Sequence, residues 1–314
     1  MAENHEVNDV APTSLTHIVG QRGVIDQVAV AIDAAFADNR RLDHALLVGP
    51  PGLGKSALAK VIAAEMATDF QEVLGTSLQT LADVNAVLLT ATPNSILHVD
   101  ECHELKKDLQ TTLYLAMDQR RIVLPTGNRR CPQSIPLHDF TLLLSTTDEY
   151  CLLQPLRQRM RLLLRFDFYS TDELVKVLIH RIKALGWEVY ETLMPEIAKR
   201  SRGTPRLALR LLQAARRVCR AAGEMTITAE HLNRACELER IDNLGLGPVE
   251  QKYLSILAGG PTRLNVIAST LGLPTRTVSE VIEPFLIRCS GSGPGLERTL
   301  YALPHDAKEE FLPS

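Results

Sequence analysis

The sequence contains 314 residues, of which 45% are apolar and 23% are charged. At roughly 100–200 residues per domain this length corresponds to two or three domains, and the composition supplies a packed core and excludes wholesale disorder. The six cysteines include no C-x-x-C pair, which argues against a disulfide framework or a zinc site built from cysteines. Uncharged stretches such as 84–99 are too short to span a bilayer, and the first ten residues lack the pattern of a secretory signal. We therefore expect a cytoplasmic protein with no membrane role.

The net charge of −3 is unevenly distributed along the chain. Residues 1–168 carry −5, residues 169–244 carry +3 and residues 245–314 carry −1. No acid interrupts the basic run between Glu196 and Glu224. Such clustering favours an anionic partner, either phosphate or nucleic acid, and a solvated helix face is the equally supported alternative.

The first part of the chain alternates predicted helices and strands. Apolar runs predict three strands, at 44–48, 96–99 and 140–144. Helical periodicity predicts three helices, at 24–36, 57–66 and 105–117. This order predicts an α/β fold, with a parallel sheet flanked by helices and with ligands at the carboxyl ends of the strands. We assign residues 1–168 to this domain.

Strand signals vanish after Thr171, and apolar positions recur at helical spacing. The predicted helices are 174–185, 193–199, 207–219 and 229–238. A predicted linker at 243–248 is followed by three short predicted helices, at 249–257, 264–271 and 275–287. A strand-like stretch follows at 298–303. We therefore expect an all-helical domain over 169–244 and a winged helix over 245–314.

A glycine-rich loop follows the first predicted strand and fits the pattern G-x-x-x-x-G-K-[ST]. The glycines let backbone N–H groups surround phosphates, Lys55 supplies positive charge, and the Ser56 hydroxyl suits Mg²⁺. The sequence therefore predicts a nucleoside triphosphate site. Its binding residues are Gly49, Pro50, Pro51, Gly52, Leu53, Gly54, Lys55, Ser56 and Ala57.

Acidic and hydroxyl side chains follow the other two predicted strands. Asp100, at the end of a buried strand, suits Mg²⁺ together with Ser56, and Glu101 suits the orientation of an attacking water. Thr146 and Thr147 end the neighbouring strand and could sense the γ-phosphate. We thus predict Asp100 and Ser56 as metal ligands, with Glu101 and Lys55 as catalytic residues.

Three arginines could act on the phosphates, because an inserted arginine stabilises the charge that develops during phosphoryl transfer. Arg157 and Arg159 lie shortly beyond the third predicted strand. Arg206 follows Thr204 and Pro205, which have the pattern of a helix N-cap and first turn. Spacing alone does not distinguish these arginines from surface residues.

The ordered motifs resemble the AAA+ ATPases and, more narrowly, the RuvB family of Holliday-junction branch-migration motors. The resemblance runs from about Leu15 to Ile287. Its motifs are Ile18-Val19-Gly20-Gln21, Leu42-Asp43-His44 with the glycine loop, Val99-Asp100-Glu101-Cys102-His103, Phe140-Thr141-Leu142-Leu143 with Thr146-Thr147, Pro155-Leu156-Arg157-Gln158-Arg159, Phe168-Tyr169-Ser170, Arg202-Gly203-Thr204-Pro205-Arg206, Gly259-Gly260-Pro261 and Glu283-Pro284-Phe285-Leu286-Ile287.

The resemblance implies an ATPase with ATP and Mg²⁺ as cofactors. It implies that Arg159 is an arginine finger given to a neighbouring subunit, with Arg157 as the second candidate. By the same resemblance Thr147 is sensor 1 and Arg206 is sensor 2, whereas Ile18 and Tyr169 line the adenine pocket. The implied assembly is a homo-oligomeric ring, a hexamer, around duplex DNA, with RuvA as a junction-binding partner.

Several segments depart from the family pattern. The hairpin that engages RuvA in the family corresponds here to 124–135, which has a similar length but different residues. The wing, at 290–295, lacks the Arg-Gly-Arg DNA contact of the family. Asp148 replaces an arginine, and Met160-Arg161 replaces Phe-Gly. The leading hypothesis is a motor that drives branch migration. The alternatives are a nucleotide-gated switch of initiator or clamp-loader type, and a signalling NTPase whose winged helix packs internally.

Overall fold

The computed structural model of the protein describes residues 11–124 and 133–290. The chain falls into two compact units. The first is Met1–Gly186 with Gly203–Arg206, and the second is Trp187–Arg202 with Leu207–Ser314. Neither unit ends at 168 or 244, so the three-domain division from the sequence remains a prediction. Among the described residues, no helix combines the length and the apolar character needed to cross a bilayer.

A five-stranded parallel sheet forms the centre of the first unit. Its strands are β1 (Ala45–Val48), β2 (Phe70–Leu74), β3 (Ile96–Asp100), β6 (Thr141–Thr146) and β7 (Leu162–Arg165), in the spatial order β2-β3-β6-β1-β7. The three central strands are buried along almost their whole length, which is typical of a parallel sheet covered on both faces. The predicted α/β fold with a parallel sheet is confirmed.

Six helices accompany this sheet. They are α1 (Arg22–Ala37), α2 (Lys55–Glu65), α3 (Leu81–Leu89), α4 (Lys107–Gln119), α5 (Gln154–Arg157) and α6 (Thr171–Leu185). Thr80 and Asp83 form a capping box at the start of α3, and Ser170 and Glu173 form one at the start of α6. A separate antiparallel hairpin joins β4 (Arg121–Leu124) to β5 (Gln133–Pro136). The loop between these strands lies outside the described residues.

The second unit is helical. Its elements are α7 (Leu193–Arg200), most of α8 (Pro205–Ala221), α9 (Ala229–Glu239), α10 (Pro248–Ala258), α11 (Leu264–Leu271), α12 (Thr275–Thr277) and α13 (Glu283–Ser290), with a π-helical turn at Val278–Ile282. One isolated bridge, between Val189 and Ile227, is the exception to helix in its described part. Buried residues of α10, α11, the π-helical turn and α13 form an apolar cluster together with Leu246. The expected wing, including 298–303, lies outside the described residues.

A partly buried ion pair within the second unit provides a test of its stability. Arg202 donates to the Gly245 carbonyl oxygen and to Glu250 Oε1, each at 2.6 Å, and its guanidinium lies 4.7 Å from the ring centroid of Phe285. Burial alone would raise the pKa of Glu250, but the hydrogen bond and charge of Arg202 hold that pKa below its ordinary value.

This lowered pKa predicts how the unit responds to acid. The stabilisation is present above the ordinary pKa of a glutamate, and it is lost as the pH falls through the lowered value. At pH 7 we expect Glu250→Gln to cost about 1–3 kcal/mol, since a charged hydrogen bond is lost. Urea unfolding followed by the fluorescence of Trp187, the single tryptophan, measures this. An equal cost at pH 7 and pH 3 would contradict the prediction.

Candidate nucleotide site

The glycine loop connects β1 to α2 and turns through left-handed backbone. Gly52 and Gly54 have φ of 81° and 99°, values that favour glycine because a Cβ atom is strained there. At Gly52 a Cβ would also lie 2.9 Å from side-chain atoms of Thr204 and Arg206. The loop leads into the first turn of α2 at Lys55, so free N–H groups of a helix N-terminus lie next to it. This geometry suits a polyphosphate.

Lys55 is folded back into the loop. Its side chain is buried, and Nζ donates to the carbonyl oxygens of Gly49 at 2.6 Å and Pro50 at 3.0 Å. Burial lowers the pKa of Lys55, and the nearby carboxylates of Glu101 and Asp100 oppose that shift. Among the described residues, the hydrogen-bond partners of this buried cation are backbone carbonyl oxygens of the loop, which suits Lys55 to receive phosphate oxygens.

Two oxygen ligands for a divalent cation lie together beside the loop. Ser56 Oγ donates to Asp100 Oδ2 at 2.8 Å, which joins the start of α2 to the last residue of β3. Hydroxyl and carboxylate oxygens are hard donors of the kind that Mg²⁺ prefers. The two predicted metal ligands are thus brought into contact, and their chemistry fits Mg²⁺.

Glu101 follows Asp100 in a left-handed backbone conformation, with φ of 52°. Its carboxylate is partly exposed, and Oε2 lies 3.4 Å from His103 Nε2. His103 Nδ1 in turn lies 3.1 Å from Thr146 Oγ1. His103 thus bridges the glutamate to the end of β6, a contact that the sequence spacing did not indicate. Thr146 is buried, whereas the predicted sensor Thr147 is exposed one residue beyond the strand.

Gly75 packs directly against the backbone of Glu101. A Cβ at Gly75 would lie 2.4 Å from the Glu101 carbonyl oxygen and 3.3 Å from Cys102 Cα. Both atoms belong to the backbone and cannot rotate away. Sequence reasoning did not single out Gly75, because its neighbour lies in a segment that is distant along the chain.

We therefore expect Gly75→Ala to displace Glu101 and to lower kcat for ATP about tenfold or more, since misplacement of a catalytic group by about 1 Å can cost 10²-fold. The matched control is Gly23→Ala, because a Cβ there meets nothing within 4 Å. Steady-state ATP turnover of both variants measures the difference. Equal turnover of Gly75→Ala and Gly23→Ala would show that this packing does not position Glu101.

The predicted adenine residues belong to two segments that lie side by side. Gln21 Nε2 donates to the Asp167 carbonyl oxygen at 2.6 Å, and the Asp167 N–H donates to Gln21 Oε1 at 3.1 Å. Tyr169 is buried next to Gly20, and its hydroxyl donates to the Leu53 carbonyl oxygen at 3.5 Å. Burial raises the pKa of Tyr169 to about 12, so the phenol is neutral. Ile18 is half-buried in the segment that precedes Gly20.

Arg206 lies next to Gly52 of the loop. Its backbone N–H donates to the Gly52 carbonyl oxygen at 3.4 Å, and its side chain is exposed. Helix α8 begins at Pro205, as the sequence predicts. The charge of Arg206 reaches the site, because it lowers the pKa of Lys55 in addition to the larger effect of burial. The structure thus places Arg206 beside the phosphate loop.

Arg159 lies elsewhere, before the amino end of β7. Its Nε donates to both Asp118 oxygens at 2.8 Å, and its guanidinium lies 4.8 Å from the ring centroid of Tyr114. It lines a cavity of about 500 Å³ with residues that precede the strands, including Asp43 and Asp139. This cavity is at the amino edge of the sheet, whereas the glycine loop, Asp100 and Thr146 are at the carboxyl edge. The structure therefore separates Arg159 from the other predicted site residues.

Arg157 has different surroundings. Its guanidinium lies 5.4 Å from the ring centroid of Tyr150. Its Nε is buried and has no hydrogen-bond partner among the residues that the structure describes. Arg157 is not among the described residues that line the cavity next to Arg159.

Three family models match the chain in succession. The Holliday junction DNA helicase RuvB P-loop domain matches residues 10–166, the RuvB AAA lid domain matches 169–242 and the RuvB C-terminal winged helix domain matches 243–290. The chain belongs to the RuvB family. It is accordingly an AAA+ ATPase, and the predicted nucleotide-binding core, helical lid and winged helix are confirmed as its fold.

Curated relatives and solved structures of the RuvB family agree with these matches. The Holliday junction branch migration complex subunit RuvB of Koribacter versatilis is 37% identical over 283 residues, which cover 88% of this chain and 79% of the relative. The corresponding subunit of Rickettsia africae is 36% identical and covers 91% and 86%. The Thermotoga maritima RuvB Holliday junction branch migration motor superposes with a TM-score of 0.80 at 32% identity, covering 95% and 97%. These matches favour the motor hypothesis over the nucleotide-gated switch.

Proposed function

We propose that this protein uses ATP hydrolysis to move the branch point of four-way DNA junctions in recombination and repair. The observation that carries this proposal is the match to all three RuvB domains, in order, over residues 10–290. The geometry of the phosphate loop supports it, because the buried Lys55 and the contact between Ser56 and Asp100 meet the needs of a hydrolysing nucleotide site.

Each site residue has a role in this proposal. Lys55 and the N–H groups of the non-proline residues from Gly49 to Ala57 bind the β- and γ-phosphates, and Ser56 and Asp100 hold Mg²⁺. Bound Mg²⁺ neutralises charge on the phosphate oxygens. Glu101 orients the attacking water and accepts its proton, and His103 holds the glutamate toward the end of β6.

The remaining residues report on the nucleotide. Thr147 contacts the γ-phosphate from the end of β6, Ile18 and Tyr169 hold adenine, and Arg206 reaches the phosphates as sensor 2. Arg206 is exposed next to Gly52, so its side chain is free to turn toward bound phosphate. These assignments transfer family roles to residues that lie around one loop.

Arg159 requires a second subunit in this proposal. Strand β7 pairs with β1 so that Leu162 is opposite Ala45 and Arg165 is opposite Val48. At about 3.3 Å per residue, the length of β7 alone separates Arg159 from the loop of its own chain by about 10 Å. We therefore propose that Arg159 completes the site of a neighbouring chain in a closed ring, a hexamer that encircles duplex DNA.

The proposed contacts with DNA and with a partner protein are assigned to domains and segments. The winged helix and the basic run of the second unit are the candidate DNA contacts. Part of that run is already neutralised, since Arg210 and Arg217 lie 3.3 and 3.5 Å from Glu239. A RuvA-like protein is the proposed junction-binding partner, and its expected contact is the hairpin between β4 and β5, whose loop lies outside the described residues. We propose that the motor acts in the cytoplasm.

A branch-migration assay tests the proposal. A synthetic four-way junction with a mobile, homologous core is incubated with the protein and ATP·Mg²⁺, and separation into duplex products is followed on a native gel. Glu101→Gln is the control, because it should bind ATP without hydrolysing it. Products that form with the wild-type protein and not with Glu101→Gln support the proposal. Turnover of ATP without any duplex product, with or without a RuvA, would contradict it.

A further inference from the structure

A row of polar side chains crosses three strands behind the nucleotide site. His98 Nδ1 lies 3.1 Å from Glu72 Oε1, and His98 Nε2 lies 2.7 Å from Ser145 Oγ. These residues belong to the neighbouring strands β2, β3 and β6. His98 and Ser145 have no solvent exposure. We call Glu72, His98 and Ser145 the polar row.

The chemistry of these side chains determines which atoms of the polar row donate hydrogen bonds and which accept them. A carboxylate only accepts hydrogen bonds, so His98 Nδ1 carries the proton and donates to Glu72. With its proton on Nδ1, the ring leaves Nε2 to accept from the Ser145 hydroxyl at 2.7 Å. The ring of Phe70 stacks on the imidazole at a centroid distance of 6.0 Å. Every polar atom of the imidazole is thus satisfied, although its neighbours along β3 are apolar.

The polar row lies directly behind the residues assigned to hydrolysis. Side chains alternate along a strand, so His98 is on the same sheet face as Asp100. His98 precedes Asp100 by two residues, and Ser145 directly precedes Thr146. The row therefore joins β3 to β6 within two residues of the carboxyl end of each strand.

The row also continues to the helix that follows the phosphate loop. Lys60 Nζ lies 2.9 Å from Glu72 Oε2. Lys60 is one turn after Ser56 on α2, and Ser56 bonds Asp100. Two parallel polar links therefore connect α2 to the sheet, one through the metal ligands and one through the polar row.

We propose that His98 is a positioning residue for ATP hydrolysis: its bonds to Ser145 and Glu72 hold the carboxyl ends of β3 and β6 in fixed alignment, so that Glu101 and Thr147 face the same γ-phosphate. This inference rests on the proposed roles of Glu101 and Thr147. The polar row touches neither ATP nor Mg²⁺ in this account, so its loss affects kcat and leaves nucleotide binding intact.

Two substitutions separate positioning from mere stability. His98→Phe leaves the Ser145 hydroxyl buried without its partner, which destabilises the fold. The double variant with Ser145→Ala removes both groups, and removal of both partners of a buried bond restores most of the stability. If the row positions the site, kcat per folded protein falls about tenfold, which is about 1.4 kcal/mol, in both variants. The KM for ATP stays within about twofold in both.

The matched control is Thr141→Val. Thr141 is also buried on β6, and its hydroxyl donates to the Leu42 carbonyl oxygen at 2.7 Å, at the amino end of the strand. This variant loses a comparable buried bond away from the nucleotide, and it should lower the melting temperature without lowering kcat. His98→Gln, whose amide offers both a donor and an acceptor, should recover part of the lost kcat.

The outcomes are decisive. Wild-type kcat in the double variant would overturn the proposal and leave the row a purely structural feature. A fall in kcat that Thr141→Val shares would also overturn it. Glu101→Gln is measured in the same series, and rapid hydrolysis by that variant would refute the proposed site itself, whatever the polar-row variants do.

Discussion

Lys55→Ala should abolish ATP binding and, with it, all turnover. The substitution removes the buried cation of the phosphate loop, whose Nζ is within 3.0 Å of two loop carbonyl oxygens. Loss of a preorganised donor at a reacting phosphate costs about 3–4 kcal/mol, or 10²–10³ in rate, and loss of the full charge in a buried site adds to that figure. We expect the ATP affinity to fall by at least about 10²-fold.

The control is Lys107→Ala, which removes an exposed lysine at the start of α4. ATP binding is measured by titration with a fluorescent nucleotide, and folding is verified by the melting temperature. ATP should raise the melting temperature of the wild-type protein and of Lys107→Ala, but not that of Lys55→Ala. Full affinity in Lys55→Ala would show that the glycine loop is not the nucleotide site.

Arg159→Ala should abolish hydrolysis and leave ATP binding unchanged within about twofold. Trans arginine fingers contribute about 10³–10⁵ to kcat, because they stabilise charge that develops only in the transition state. Binding is retained because Arg159 is at the sheet edge opposite its own loop, where it pairs with Asp118. Arg234→Ala is the control, since it removes an exposed arginine whose ion pair with Glu237 lies outside the site.

A mixture of two inactive variants tests whether the site is shared. Arg159→Ala keeps an intact glutamate, and Glu101→Gln keeps an intact finger. In randomly mixed rings, an interface that combines the intact Glu101 of one chain with the intact Arg159 of the next forms roughly a quarter of the time, so roughly a quarter of the wild-type turnover should return. A mixture that stays inactive, although the two variants co-assemble, would contradict the shared site.

Periodicity and loop chemistry predicted the parts of the fold that depend on local sequence. Strands at 44–48, 96–99 and 140–144 correspond to β1, β3 and β6, and the predicted helices correspond to α1, α2, α4, α6 and those of the second unit. These segments have strong apolar patterns because both faces of the central strands are buried. The phosphate-binding role of the glycine loop could be predicted from the sequence because its motif consists of eight consecutive residues.

Strands β2 and β7 and helix α3 were not predicted. The two strands lie at opposite edges of the sheet. Strand β2 combines half-buried and exposed positions and forms no apolar run, whereas β7 has three consecutive leucines of which Leu164 alone is buried. Without β7 the sequence could not show that Arg159 lies at the amino edge. Helix α3 falls in the uncharged stretch 84–99 and the residues before it, where a core strand and a buried helix look alike.

The sequence also did not predict contacts between residues that are distant along the chain. Gly75 meets Glu101, His103 bridges Glu101 and Thr146, and His98 meets Ser145 only because parallel strands bring those residues together. The sequence around a histidine inside an apolar run does not indicate which residues are its hydrogen-bond partners. The sequence therefore supplied candidates for the groups that do the chemistry, whereas the side chains and backbone packed against those groups became visible only in the fold.

The most direct test of the motor function is steady-state ATP turnover by the purified protein, measured alone, with four-way junction DNA and with duplex DNA of the same sequences. Lys55→Ala supplies the blank. We predict turnover that DNA stimulates at least about tenfold, because a motor couples its hydrolysis to the substrate that it moves. Turnover that is the same with and without either DNA would contradict a DNA motor and leave an ATPase that acts on another partner.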